Sequence, residues 1–248
     1  MTRNYISSVW LSKPIEEDSY LRNLPVVRSL DSLGGLDFDK AVTFLVGENG
    51  TGKSTLLEAI AVKSGFNPEG GTRNFRFETN TTHSDLYKYI TISRGSTPPD
   101  GFFLRAESFY NTASYIDEVF QDQFNTRGSP NYGARSMHTQ SHGESILALV
   151  QHRFVGNGLY LMDEPESALS PSRLLTLLAH IQLLVNNHSQ FIIATHSPIL
   201  MAFPGAEVIL LDEEGIRTVD YRETEHYQIT RMFLDNPGRM LRHLLADD

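Results

Sequence analysis

The strongest chemical signal in this chain is the run Gly47-Glu48-Asn49-Gly50-Thr51-Gly52-Lys53-Ser54, which follows the spacing G-x-x-x-x-G-K-[ST]. Glycines at these positions let successive backbone N–H groups turn inward around a polyanion, and a helix starting at the end of the run adds its positive dipole end. A lysine there reaches terminal phosphates, and the neighbouring hydroxyl is a Mg2+ ligand. Asn49, Gly50, Thr51, Gly52, Lys53, Ser54 and Thr55 are therefore the expected nucleotide contacts, with Lys53 also catalytic and Ser54 also on the metal. A glycine-rich turn would be the plain alternative. The flanks favour phosphate: Ala41–Val46 is a short apolar run, and Ser54–Lys63 sets Leu56, Leu57, Ile60 and Ala61 at helical spacing.

A second constellation lies downstream, where Leu159-Tyr160-Leu161-Met162 runs into Asp163-Glu164. An apolar strand ending in two carboxylates places the first to hold Mg2+ and the second to orient and polarise an attacking water. Taken alone, such a pair also serves to end strands in turns. His196 follows another apolar run, Phe191–Thr195. A histidine in that place is often a hydrogen-bonded structural residue, but its spacing from Asp163 and Glu164 points to a catalytic part.

These motifs resemble those of ABC-type P-loop ATPases. Pro165-Glu166-Ser167-Ala168-Leu169-Ser170 looks like the family's D-loop, Ser141-His142-Gly143-Glu144 resembles its signature, and His196 its switch histidine. The resemblance covers roughly Leu30 to Ser197, and its flavour is that of compact ATPases related to the SMC and DNA-repair branch. It implies ATP and Mg2+ as cofactors and a head-to-tail homodimer in which Ser141, Gly143 and Glu144 of one subunit meet the nucleotide of the other. It also implies Glu107, at the end of the run Gly101–Ala106, as an acidic replacement of the family's metal-side glutamine; an exposed strand-end carboxylate is the other reading. The signature departs from the family at Gln140 and at His142, which stands where the first glycine belongs. As an isolated tetrapeptide, Ser-His-Gly-Glu would suit a helix-capping turn.

The elements that must position these groups read as an α/β fold: a P-loop NTPase with a mostly parallel core sheet, an antiparallel subsheet and a small helical signature region. Tyr5–Leu11 reads as an edge strand, and Phe75–Glu107 as short strands suggesting the antiparallel subsheet. Ser108–Phe124 and Glu144–Phe154 read as helices on either side of the polar loop Asn125–Gly143. Pro171–Asn186 is a strong amphipathic helix. Glu207–Leu211 and Ile216–Tyr221 read as a hairpin, and Tyr227–Leu245 as one or two closing helices around Pro237 and Gly238. Residues 1–248 are expected to form a single domain, with the signature region at about 108–155. Tyr5, Trp10, Tyr20, Arg22 and Arg28 precede the loop and are candidates to stack on adenine.

Composition narrows the function. With no cysteine, disulfides, iron–sulfur clusters and thiolate zinc sites are excluded, and a cytoplasmic setting is expected. Met1–Trp10 lacks the pattern of a signal peptide, and no apolar run approaches the ~18 residues of a membrane helix, so no membrane insertion of this chain is expected. A net charge of −9 repels phosphate backbones at long range, leaving direct nucleic-acid binding open only through a local basic strip. The expected function is ATP hydrolysis in an ATP-sandwich homodimer that drives a DNA-repair or defence-type assembly with a nuclease or other protein partner. The rivals are the nucleotide-binding subunit of a transporter and an ATP-gated scaffold.

Overall fold

Five of the apolar runs become strands with both faces buried, which is possible only if helices or a second sheet cover each face. The structure, a computed structural model, describes residues 4–73, 83–109 and 142–245. Its strands are β1 (Ile6–Leu11), β2 (Leu36–Asp37), β3 (Val42–Val46), β4 (Ile90–Arg94), β5 (Asp100–Arg105), β6 (Gly158–Asp163), β7 (Gln190–Ala194), β8 (Glu207–Asp212) and β9 (Gly215–Val219). Its helices are α1 (Pro25–Leu33), α2 (Lys53–Lys63), α3 (His142–Arg153), α4 (Pro171–Asn186), α5 (Pro198–Met201), α6 (Glu225–Asp235) and α7 (Pro237–Leu244).

The core sheet has the order β5-β6-β7-β3-β8-β9, parallel from β5 through β8 and closed by the antiparallel β8–β9 hairpin. Alternation along each strand divides its side chains between two apolar clusters. Val42, Phe44 and Val46 pack with Tyr160, Met162 and Ile193 against α3, α4 and α5. Leu45, Leu161, Ile192 and Leu211 face the other way, toward α1, α2 and the second sheet. Helix α2 is sandwiched so closely that Leu56 through Ala61 are all buried.

The second sheet, β2-β1-β4, is antiparallel. Tyr5–Leu11 is thus corrected from an edge strand to the central strand of this sheet. Of the region 75–107, β4 alone among the described residues joins it. The run assigned to Gly101–Ala106 becomes β5, which pairs in parallel with β6, because its buried Phe102, Phe103 and Leu104 suit a two-sided core position. The segments read as helix and loop over 108–143 lie mostly outside the described residues. The two sheets are joined by a side chain that imitates a strand: Gln190, itself buried, donates from Nε2 to the Ile6 carbonyl (2.8 Å) and accepts from the Ile6 N–H at Oε1 (2.9 Å).

The last two helices do not close the fold. Neither α6 nor α7 buries a residue, and Met232, Leu234, Leu244 and Leu245 are exposed. No helix among the described residues is long and apolar enough to cross a membrane.

Gln190→Ala should lower unfolding free energy by about 2–3 kcal/mol, because it strands a buried N–H and a buried carbonyl of Ile6. Urea titration followed by circular dichroism measures it, and a loss below 0.5 kcal/mol, about the least expected of one hydrogen bond, would mean that apolar packing alone joins the sheets.

Candidate functional site

Parallel strands bring their carboxyl ends to one edge, and the register aligns Arg105 with Asp163 and Asp163 with Ala194. Leu45, next to the start of the glycine-rich loop, pairs with Ala194. Loops leaving β3, β6 and β7 therefore converge, as they do at ligand crevices of open α/β sheets.

The loop from Gly47 to Gly52 depends on close backbone approach. A Cβ at Gly47, where φ is +150°, would run into the Leu211 carbonyl, and one at Gly52 into the Val26 side chain on α1. Val26 N–H also donates to the Thr51 carbonyl at 3.1 Å, so α1 braces the loop from outside. Gly52 adopts the left-handed conformation just before α2. Within the loop, Thr51 Oγ1 donates to the Glu48 carbonyl at 2.9 Å. Lys53, buried, donates from Nζ to the carbonyls of Gly47 and Glu48, both at 2.7 Å. Burial pushes its pKa down, against the pull of Glu164, Asp163, Glu166 and Glu48. Asn49 and Gly50 are exposed at the tip, while Ser54 and Thr55 begin α2 partly covered.

Ser54 Oγ donates to Asp163 Oδ1 at 2.8 Å, joining the two sequence motifs. A hydroxyl and a carboxylate in contact form the hard-oxygen pair that Mg2+ takes beside phosphate oxygens and water, so these residues fit that ion. Burial raises the Asp163 pKa to about 6; the Ser54 hydrogen bond and Arg105 pull it down, while Glu164 and Glu58 push it up. Arg105 stands beside it, with Nε 3.7 Å from Asp163 Oδ2 and Nη1 2.6 Å from the buried Glu58. Glu107 is largely exposed and reaches the other end of the same guanidinium, at 3.7 Å. Arg105 thus occupies the ground between Glu107 and Asp163.

Glu164 stands in the left-handed region, φ 48° and ψ 51°, and turns the chain from β6 into the 3-10 helix Pro165–Ala168. Its carboxylate is 3.4 Å from His196 Nε2. Glu166, two residues on, accepts from Thr195 Oγ1 (2.7 Å) and from the His196 N–H (2.6 Å), which latches the turn after β6 to the turn after β7. Burial pushes the Glu166 pKa up, and those hydrogen bonds oppose it.

Of the signature residues, Ser141 lies outside the described residues. Gly143 is buried in the first turn of α3, where a Cβ would run into the Ala168 carbonyl, and Glu144 pairs with Arg173 at 3.1 Å. The structure therefore joins Lys53, Ser54, Asp163, Glu164 and His196 in one crevice. Of the adenine candidates, Tyr5 is buried in the core and Arg28 pairs with Glu213 at 2.7 Å, while Arg22 and Arg28 flank a cavity of about 330 Å³ beside Lys13.

Sequence reasoning placed Glu166 only within the D-loop run, without this role, and missed Arg105, Glu58 and His226. His226, on α6, has Nε2 2.8 Å from Nδ1 of His196. Glu166 had a visible signal, an acid two residues past Asp163-Glu164, whereas His226 is thirty residues from its partner and on a helix with no motif.

Two family models match the chain: "AAA domain" over residues 27–137, which holds the glycine-rich loop, and "AAA domain, putative AbiEii toxin, Type IV TA system" over residues 116–202, which holds Asp163, Glu164 and His196. A relative from Haemophilus influenzae, described as an uncharacterized ABC transporter ATP-binding protein, is 23% identical over 225 residues, spanning 83% of this chain and 84% of its own. The fold is also similar to CbiO1 from Clostridium perfringens, part of the ABC transporter complex CbiONQ, at 15% identity with a TM-score of 0.46 over 86% of this chain and 90% of that one. The SMC head domain from Thermotoga maritima gives 17% identity and a TM-score of 0.45, over 87% and 98%. Strand order, loop geometry and the family spans together define a P-loop nucleotide-binding domain. More narrowly, the chain is similar to AAA-domain and ABC-type ATP-binding proteins.

Gly47→Ala should cost about 3 kcal/mol of stability or more, since it adds a clash with backbone to positive-φ strain. Gly50→Ala, at φ +87° with nothing among the described residues near the added methyl, should cost about 1 kcal/mol. Equal losses in chemical denaturation would remove the close approach to Leu211 as the reason for glycine at 47.

Proposed function

We propose that this chain hydrolyses ATP to ADP and phosphate in a homodimer that sandwiches two nucleotides. The observation that carries the reading is the convergence of Ser54 on Asp163 at 2.8 Å and of His196 on Glu164 at 3.4 Å, at the mouth of the glycine-rich loop. Phosphoryl transfer asks a protein chiefly for positioning and charge neutralisation. Backbone N–H groups of the loop and the start of α2 hold the phosphates, and Lys53 exchanges its two carbonyl partners for phosphate oxygens. Glu164 orients and polarises the attacking water, and His196 offers Nε2 to the transferred group. Ser54 and Asp163 would hold Mg2+, which when bound neutralises phosphate charge. Glu107 would add a carboxylate on the metal side by turning away from Arg105.

The dimer follows from the resemblance of residues 141–144 to a signature: Ser141, Gly143 and Glu144 of each subunit complete the site of the other. The assembly it drives is best read as a repair or defence system with a nuclease or other protein partner, and the toxin–antitoxin wording of the family over residues 116–202 supports that reading. The transporter wording of the Haemophilus relative supports the rival, a subunit docked on a membrane protein. Stimulation of turnover by DNA ends favours the first, and co-purification with a membrane protein the second.

Glu164→Gln should bind ATP normally, lose turnover by about 100-fold or more, and run as a monomer without nucleotide and a dimer with ATP·Mg. Size exclusion with light scattering decides. An ATP-loaded monomer would sink the sandwich, and wild-type turnover in the variant would remove Glu164 as the water-orienting group. Lys53→Ala should abolish measurable binding of a fluorescent ATP analogue.

A further inference from the structure

His196 has two ring nitrogens, and they face different partners. Nε2 is buried, has no closer hydrogen-bond partner among the described residues, and lies 3.4 Å from a carboxylate oxygen of Glu164. Nδ1 lies 2.8 Å from Nε2 of His226, with the two rings tilted by 58°. Burial, then the charge of Lys53, pushes both rings away from protonation. In a neutral pair, one hydrogen lies between the rings, and its owner decides what the rest of the site sees.

If His196 owned it, the bare lone pair of Nε2 would point at the Glu164 carboxylate, and an incoming phosphoryl oxygen would find no donor. If His226 owns it, His196 carries its own hydrogen on Nε2, where both the carboxylate and a phosphate can accept it. Electrostatics therefore selects the second arrangement. We propose that His226 is a positioning residue of the nucleotide site: its Nε2–H donates to Nδ1 of His196 and fixes that ring in the tautomer that presents an N–H at Nε2. This is the outer-partner logic by which a hydrogen bond at one imidazole nitrogen sets the chemistry of the other. It rests on the ATPase reading given above.

The fold supports the placement. Thr224, fully buried, caps α6: its Oγ1 donates to the Tyr221 carbonyl at 2.6 Å, accepts from the Tyr227 N–H at 3.4 Å and sits 3.8 Å from the Met201 sulfur. Met201 ends α5, the short helix that begins two residues after His196. Both histidines are thus tied to α5, His196 through the chain and His226 through the Thr224–Met201 contact. Together with Glu48, Asn49 and Thr230 they line a cleft of about 480 Å³ between the phosphate loop and α6. Otherwise exposed, α6 meets the site through this pair.

The test compares His226→Ala with His226→Gln, whose amide Nε2–H can replace the imidazole donor. In the alanine variant kcat should fall about tenfold with KM within about twofold, the mark of lost positioning rather than lost binding, and glutamine should recover most of it. Nitrogen-15 spectra of the His196 ring, assigned with His196→Asn, give a readout independent of turnover. Wild-type and glutamine proteins should show a protonated Nε2 and an unprotonated Nδ1, and the alanine protein a mixture. A wild-type ring protonated on Nδ1, an alanine variant with unchanged kcat and ring spectrum, or a glutamine variant as impaired as alanine would overturn the proposal. A wild-type protein that binds ATP and never turns it over would instead sink the ATPase reading, while the ring spectrum still decides the tautomer.

Discussion

A carboxylate at the end of a strand buried on both faces must be given partners or lose its charge, and Asp163 is the point around which this site is arranged. The sheet supplies its surroundings. Neighbouring strands bring Arg105 and Ala194 level with it, and α2 starts where Ser54 can donate to it. Burial still holds its pKa near 6, so the group is under-neutralised by the protein alone. Such a carboxylate gains from a divalent cation, which would supply the missing positive charge without any rearrangement of β6.

Charge compensation then spreads outward from that residue. Arg105 divides its guanidinium between Asp163 and the buried Glu58, whose second oxygen accepts the Ser84 N–H at 2.7 Å. Glu166 ties the turn carrying Glu164 to the turn carrying His196 through two hydrogen bonds. The crevice is therefore a set of strand ends laced by side chains, with little freedom for one loop to move alone.

Local chemistry made much of this legible in the sequence. The glycine spacing at 47–54, the apolar run before Asp163 and the run before His196 are short-range patterns whose meaning survives without tertiary information, and each became the element expected. What failed was neighbourhood. Nothing in Tyr5–Leu11 tells which strands will flank it, and an edge reading went to a strand paired on both sides. The run ending at Glu107 was recognisable as a strand, yet its parallel pairing with β6 is a long-range choice that made Arg105 the neighbour of Asp163. Glu58 and Arg105 carry no local motif, and only the fold brings them together, Glu58 buried and Arg105 partly so. Tyr227–Leu245 reads as one or two closing helices; the structure forms two helices after Thr224 but leaves them open, and uses the first turn to hold His226.

The backbone at Glu164 connects this geometry to how the protein can change. A β-carbon-bearing residue at φ 48° is held in a region that costs on the order of 1 kcal/mol, and glycine or asparagine would relax it. Selection for folding stability alone would draw position 164 toward those residues and away from a long carboxylate. Stability and the proposed chemistry therefore pull this site in opposite directions, and a library sorted only for thermal robustness should enrich chains that fold better and have lost the carboxylate proposed to orient water.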